Sequence, residues 1–177
     1  MSNLLLKAQV DGAQCDRVTL SFQQFEEVLS EVTIEEISKD DSAVKQLLES
    51  SLANEHNLDM ISSPFKMEWR AESDWEPDDP SEVSSGSCII VPLVKDISSG
   101  TLIRSVGYAE TEAAISEYNF SNDGTFTLTT NYEQSIAEEK IWFVSENVRC
   151  RSSVLRTSAG SGVLQTSFAS EVRRINA

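Results

Sequence analysis

Histidine occurs once in the 177 residues, as His56 in a polar stretch, and that scarcity removes most histidine-dependent chemistry. No Ser-His-Asp triad, HExxH pair or phosphate-cradling GxxxxGK[ST] loop is expected. His56 itself reads as a surface loop residue rather than a ligand. Cysteine is nearly as rare. Cys15, Cys88 and Cys150 are odd in number and far apart, so neither a disulfide framework nor a metal knuckle is expected. A reducing compartment is the natural home of such a chain. Positive charge is also short: 14 Lys and Arg stand against 29 Asp and Glu, for a net charge of −15 and a pI near 4.4. Nucleic acid and anionic membranes are polyanions, so this balance argues against both as partners. No apolar run approaches the ~18 residues of a membrane span, and no secretory signal is visible. If the chain is an enzyme, carboxylates and arginines carry its chemistry.

What is present is alternation. The length suits one domain over 1–177 with a real core or a lined cavity. Val18, Leu20 and Phe22 alternate with polar residues, as do Val32 and Ile34. Residues 40–51 break the rhythm: Val44, Leu47 and Leu48 fall at helical spacing behind a Lys-Asp-Asp-Ser entry. Residues 64–71 predict a strand carrying Met67 and Trp69, and 72–87 an acidic mobile loop holding Trp75. Seven further strands follow, over 87–94, 102–108, 114–120, 125–132, 139–144, 148–157 and 163–173. Asn122-Asp123-Gly124 is a hairpin turn, with further turns at 96–100 and 157–162. The sum is an all-β fold of about ten short antiparallel strands with one short helix. Such a meander closes into a barrel to remove its edges, and a barrel of this size holds one small ligand.

Arg149, Arg151 and Ser153 share one strand face, because side chains alternate along a strand. Two adjacent guanidiniums read either as a solvated outer face or as a grip on a ligand with two carboxylates or phosphates. Glu139 lies on the preceding strand and Glu171 on the last, so acids and arginines can line one wall. Cross-strand salt bridges on the outside are the alternative. Trp142 and Phe143 point to opposite faces, so only one looks inward. Cys150, on the face opposite the arginines, reads as packing.

Several stretches resemble the S-type phycobiliprotein lyases, the CpcS/CpeS family. They are Gly107-Tyr108-Ala109-Glu110, the run from Leu128 to Glu133, the run from Glu138 to Ser153, and Ser167-Phe168-Ala169-Ser170-Glu171-Val172-Arg173. Leu20-Ser21-Phe22, the Ser38-Lys39-Asp40-Asp41 helix entry, and Trp69 followed by Trp75 fall where that family has them. The resemblance runs from about Leu20 to Arg173. It implies a barrel like that of lipocalins or fatty-acid-binding proteins. Its substrate would be a phycobilin, phycoerythrobilin or phycocyanobilin, delivered to a cysteine of an apo-phycobiliprotein as a thioether. It also implies Glu139 and Glu171 as catalytic carboxylates facing the pyrrole N–H groups, with no metal. Arg149, Arg151, Ser153, Trp69, Trp142 and Trp75 become bilin contacts.

The chain departs from the family over 1–17. Members carry an aromatic pair, a Ser-x-Gly-x-Trp segment and an Arg followed by two histidines. Here Asp16-Arg17-Val18-Thr19 follows a start without Trp or His. A non-catalytic paralogue serving as partner subunit of another lyase is therefore one alternative, and a carrier of another apolar carboxylate is a second. The resemblance further implies a homodimer or a heterodimer with a paralogue, working in a cyanobacterial cytoplasm or a plastid.

Overall fold

The computed structural model describes residues 14–21, 26–51, 58–72, 84–106, 113–160 and 162–174. Ten strands follow one another as a meander: β1 Gln14–Ser21, β2 Glu26–Glu36, β3 Phe65–Glu72, β4 Ser84–Val94, β5 Ser99–Arg104, β6 Ala114–Phe120, β7 Phe126–Asn131, β8 Ser135–Ser145, β9 Val148–Thr157 and β10 Val163–Arg173. Each pairs antiparallel with the next, and β10 pairs with β1, so the sheet closes. Closure leaves no unpaired strand edge in the sheet.

Period-two alternation sorts the side chains. Val32, Ile34, Phe65, Cys88, Ile90, Leu102, Tyr118, Phe126, Leu128 and Ile141 fill the interior, with Met67, Trp69 and Phe120 packed against them. The single α-helix among the described residues, α1 (Ser42–Ser50), lies outside. Its Val44 and Leu47 bury against Val91, Leu93 and Ile103, which alternate with the inward Ile90, Pro92 and Leu102. Asp41 caps the helix, its side chain accepting from the Ala43 N–H at 2.8 Å.

Strands β6, β9 and β10 have the expected bounds, and Gly124 takes a positive φ of 87° in the 122–124 turn. Other bounds moved. The helix is Ser42–Ser50 rather than 40–51, because the Asp41 cap leaves Asp40 outside. The strand expected over 102–108 is Ser99–Arg104. Asp96 ends the turn early by accepting from the Ser98 and Ser99 N–H groups, so pairing resumes at Ser99. Strand β8 begins at Ser135, four residues before the expected 139, since register with β7 and β9 extends there. Glu72 belongs to β3 and Ser84–Ser87 to β4, which shortens the expected acidic loop at both ends; residues 73–83, with Trp75, lie outside the described residues. His56 and the 107–110 motif lie outside them too.

Candidate functional site

Register decides which charged side chains meet. Arg149 stands directly opposite Glu171 in the β9–β10 ladder. Both its Nε and its Nη2 donate to Glu171 Oε2, the first at 2.7 Å. Arg151 lies diagonally between the two acids, because its ladder partners are Ile141 and Ala169. Its Nη1 reaches Glu139 Oε1 at 3.3 Å and its Nη2 comes within 3.8 Å of Glu171 Oε1. Ser153, opposite Glu139, donates to the same Oε1 at 3.2 Å. The five side chains form one connected set across β8, β9 and β10.

A member not anticipated from sequence extends the set across the interior. Arg104, at the end of β5, is 3% exposed. Its Nη2 donates to Ser116 Oγ at 3.1 Å and Thr130 Oγ1 at 2.9 Å, and its Nη1 lies 3.8 Å from Glu139 Oε2. Ser116 and Thr130 are ladder partners whose hydroxyls lie 2.7 Å apart. Period two along Leu102-Ile103-Arg104 was the available signal, since it puts Arg104 on the same face as Leu102. The partners that make Arg104 tolerable come from three other strands, which local pattern does not reveal.

Charge therefore alternates across the barrel: Arg104, Glu139, Arg151, Glu171, Arg149. Glu139 and Glu171 are 3% and 2% exposed. Ions this deep persist only when paired and hydrogen-bonded, and each ion here has an opposite charge within 4 Å and at least one hydrogen bond. Glu139 Oε2 is buried and accepts no hydrogen bond among the described residues. It borders a cavity lined by Arg104, Arg149 and Arg151 on its polar side and by Phe65, Met67 and Leu102 among its apolar walls. The cavity measures about 40 Å³. That is room for about three waters, far below the several hundred Å³ of a drug-sized ligand site.

The aromatic candidates separate. Trp69 shares the inward face of β3 with Phe65 and Met67 and packs on the interior cluster. Its indole lies over Gly86, its ladder partner, where any Cβ would come within 2.3 Å of the ring. Trp142 alternates with the inward Glu139, Ile141 and Phe143, so it faces outward, with its ring centroid 6.1 Å from that of Phe168. The structure thus gives Trp142 no place among the cavity residues. Cys150 lies on that outer face as well, buried and free. Among the described residues no group of three His, Cys, Asp or Glu side chains could hold a metal, and no helix is long and apolar enough to cross a membrane.

The profile of the family described as "CpeS-like protein" matches residues 13–174. The chain belongs to this family. It is 47% identical over 157 residues to "Chromophore lyase CpcS/CpeS 3" of Trichodesmium erythraeum (strain IMS101), covering 88% of this chain and 87% of that one. Identity with the "Putative phycoerythrobilin lyase CpeS" of Microchaete diplosiphon is 42% over 144 residues, 78% of this chain and 61% of the relative. The "Phycocyanobilin lyase subunit CpcS" of Picosynechococcus sp. (strain ATCC 27264 / PCC 7002 / PR-6) is 28% identical over 164 residues, 90% and 79% of the two chains. A solved structure described as the S-type phycobiliprotein lyase CPES from Guillardia theta superposes with a TM-score of 0.79 at 30% identity, over 100% of this chain and 95% of that one. The likeness extends through the whole barrel.

Proposed function

We propose that this CpeS-like protein is a chromophore lyase that binds an open-chain tetrapyrrole and delivers it to a cysteine of an apo-phycobiliprotein. The observation that carries this reading is the buried alternation of three arginines and two glutamates beside an acceptor left open at Glu139 Oε2. A bilin offers complementary groups: two propionates for guanidiniums and a row of N–H donors for a carboxylate. Each guanidinium has five N–H donors, more than one carboxylate takes up, so Arg149 and Arg151 can hold propionates beside their own acids. Glu139 and Glu171 face the pyrrole nitrogens, Ser153 steadies Glu139, and Trp69 offers an aromatic face. Trp142, on the outer surface, is not assigned to the bilin. Trp75 keeps its expected role as a further contact from the 73–83 segment.

The chemistry is an addition. The acceptor sulfur bonds to the bilin's ethylidene carbon and the thiol hydrogen ends on the bilin, so no oxidant and no leaving group are involved. Holding one conformer and shielding the reactive end lowers the barrier through orientation. A carboxylate beside the pyrroles stabilises the protonated, more electrophilic form. The cavity bordered by these described residues holds about 40 Å³, less than a tetrapyrrole occupies. Work takes place where apo-phycobiliproteins are made, in a cyanobacterial cytoplasm or a plastid.

A second reading, a partner subunit of another lyase, is favoured by the missing His pair near Arg17 and by a relative described as a lyase subunit. Co-expression with bilin-synthesis enzymes and apo-subunits, with and without a paralogue, separates the two. Covalent colour on a denaturing gel from this chain alone is the expected result. Colour only beside the paralogue would favour the subunit role. A purified protein that takes up neither phycoerythrobilin nor phycocyanobilin would sink both, leaving the carrier of another apolar carboxylate.

A further inference from the structure

We propose that Arg104 is a positioning residue that determines which oxygen of Glu139 meets the bilin; the inference rests on the bilin-binding reading above. Glu139 has two differently occupied oxygens. Oε1 is taken by Arg151 Nη1 at 3.3 Å and Ser153 Oγ at 3.2 Å, both from β9. Oε2 accepts no hydrogen bond and lies 3.8 Å from Arg104 Nη1, too long for a bond but close enough for strong attraction in a dry interior. Arg104 therefore draws Oε2 away from the β9 wall without consuming its lone pairs. What remains is an aimed, ionic acceptor bordering the cavity.

Arg104 can do this because its own position is fixed from two sides. Ser116 and Thr130 accept from Nη2 at 3.1 and 2.9 Å, and their hydroxyls are themselves 2.7 Å apart. From outside the barrel, α1 covers the neighbouring Ile103, so β5 is clamped where it presents the guanidinium. Without the Arg104 charge, Glu139 has cationic partners only on β9, and both oxygens are drawn toward Arg151 and Ser153. The acceptor for a pyrrole N–H is then lost while the carboxylate survives.

This makes the sign of a spectral shift diagnostic. A bilin whose N–H groups face a carboxylate favours its protonated, red-shifted form. If Arg104 works through Glu139, Arg104→Gln shifts the bound bilin to shorter wavelength, as Glu139→Gln does, and slows transfer to the apo-protein by a similar factor. The double variant is then no worse than Glu139→Gln alone, because the two residues form one unit. If Arg104 acted on the chromophore directly, losing a cation would favour the protonated form. The shift would then run to longer wavelength and persist in the Glu139→Gln background.

The experiment loads phycoerythrobilin and phycocyanobilin onto the wild-type protein, Arg104→Gln, Glu139→Gln and the double variant, and records absorption, melting temperature and transfer. Thr130→Val keeps the Arg104 charge but removes half of its support, so it carries the test if Arg104→Gln does not fold. Its band is expected to move part of the way to shorter wavelength, and Arg104→Lys to recover part of the wild-type band. A shift to longer wavelength, additive effects in the double variant, or a lowered melting temperature with an unmoved band would each overturn the assignment. So would an unmoved band in Thr130→Val. A wild-type protein that takes up no bilin would instead overturn the site reading itself, and this inference with it.

Discussion

Arg149 and Glu171 meet where almost no solvent reaches, at 7% and 2% exposure, so neither can be replaced alone at low cost. Removing one partner of a buried pair leaves an uncompensated charge, a loss of about 3–5 kcal/mol. Arg149→Gln and Glu171→Gln are each expected to lose stability of that size in denaturant titrations. Replacing both with apolar residues, as in Arg149→Met with Glu171→Leu, should recover most of it while abolishing bilin binding. A double variant that stays as unstable as the singles would mean the pair does more than neutralise itself. Gly86 poses a steric question. An added Cβ would stand 2.3 Å from the Trp69 ring, and a rigid indole can yield only by moving whole. Overpacking of this kind costs roughly 1–3 kcal/mol. Gly86→Ala should lower the melting temperature and alter tryptophan emission; unchanged emission would put the ring elsewhere.

At the scale of elements, the turn between β4 and β5 depends on one carboxylate. Asp96 Oδ1 accepts from the Ser98 and Ser99 N–H groups at 2.8 and 2.9 Å, and Oδ2 accepts from the Ser99 hydroxyl. The Ser99 hydroxyl first, and the Ser98 N–H next, hold its pKa down to about 2. A depressed acid stabilises the fold above its ordinary pKa of about 3.9 and loses that contribution as pH falls toward 2. The stability gap between wild type and Asp96→Ala should hold steady above about pH 5 and close between about pH 4 and 2. A gap that persisted at pH 2 would show the turn to be indifferent to charge. Elements were the most legible part of the sequence. Val44 and Leu47 at helical spacing, Asp-Gly at 123–124, and the alternation over 148–157 all carried their information within a few residues. The site was half legible. Arg149 and Arg151 stood out as neighbours on one face, whereas Arg104 acquires meaning only from Ser116, Thr130 and Glu139, brought to it by sheet register. Trp142 and Phe143 show the same limit: alternation says they part, and only tertiary contact says which one goes in.

At the scale of the molecule, every strand pairs on both sides, so no part of the sheet is an independent unit. Unfolding should be one cooperative step, with far-ultraviolet circular dichroism and tryptophan emission giving coincident midpoints. Separated midpoints would reveal a wall that melts first. Closure joins β1 to β10, whose paired residues lie some 150 positions apart in the chain. Contacts so distant in sequence are slow to form, because the loop entropy falls due before the contact exists to offset it. Glu171 lies on that closing strand and Arg149 on the one before. As the protein emerges from the ribosome, β1 to β9 are therefore synthesised before the seam can close, and the charged wall lacks Glu171 until β10 arrives. Until then Arg149 stands without the carboxylate that neutralises it, so the last strand completes the charge balance of the site as well as the barrel.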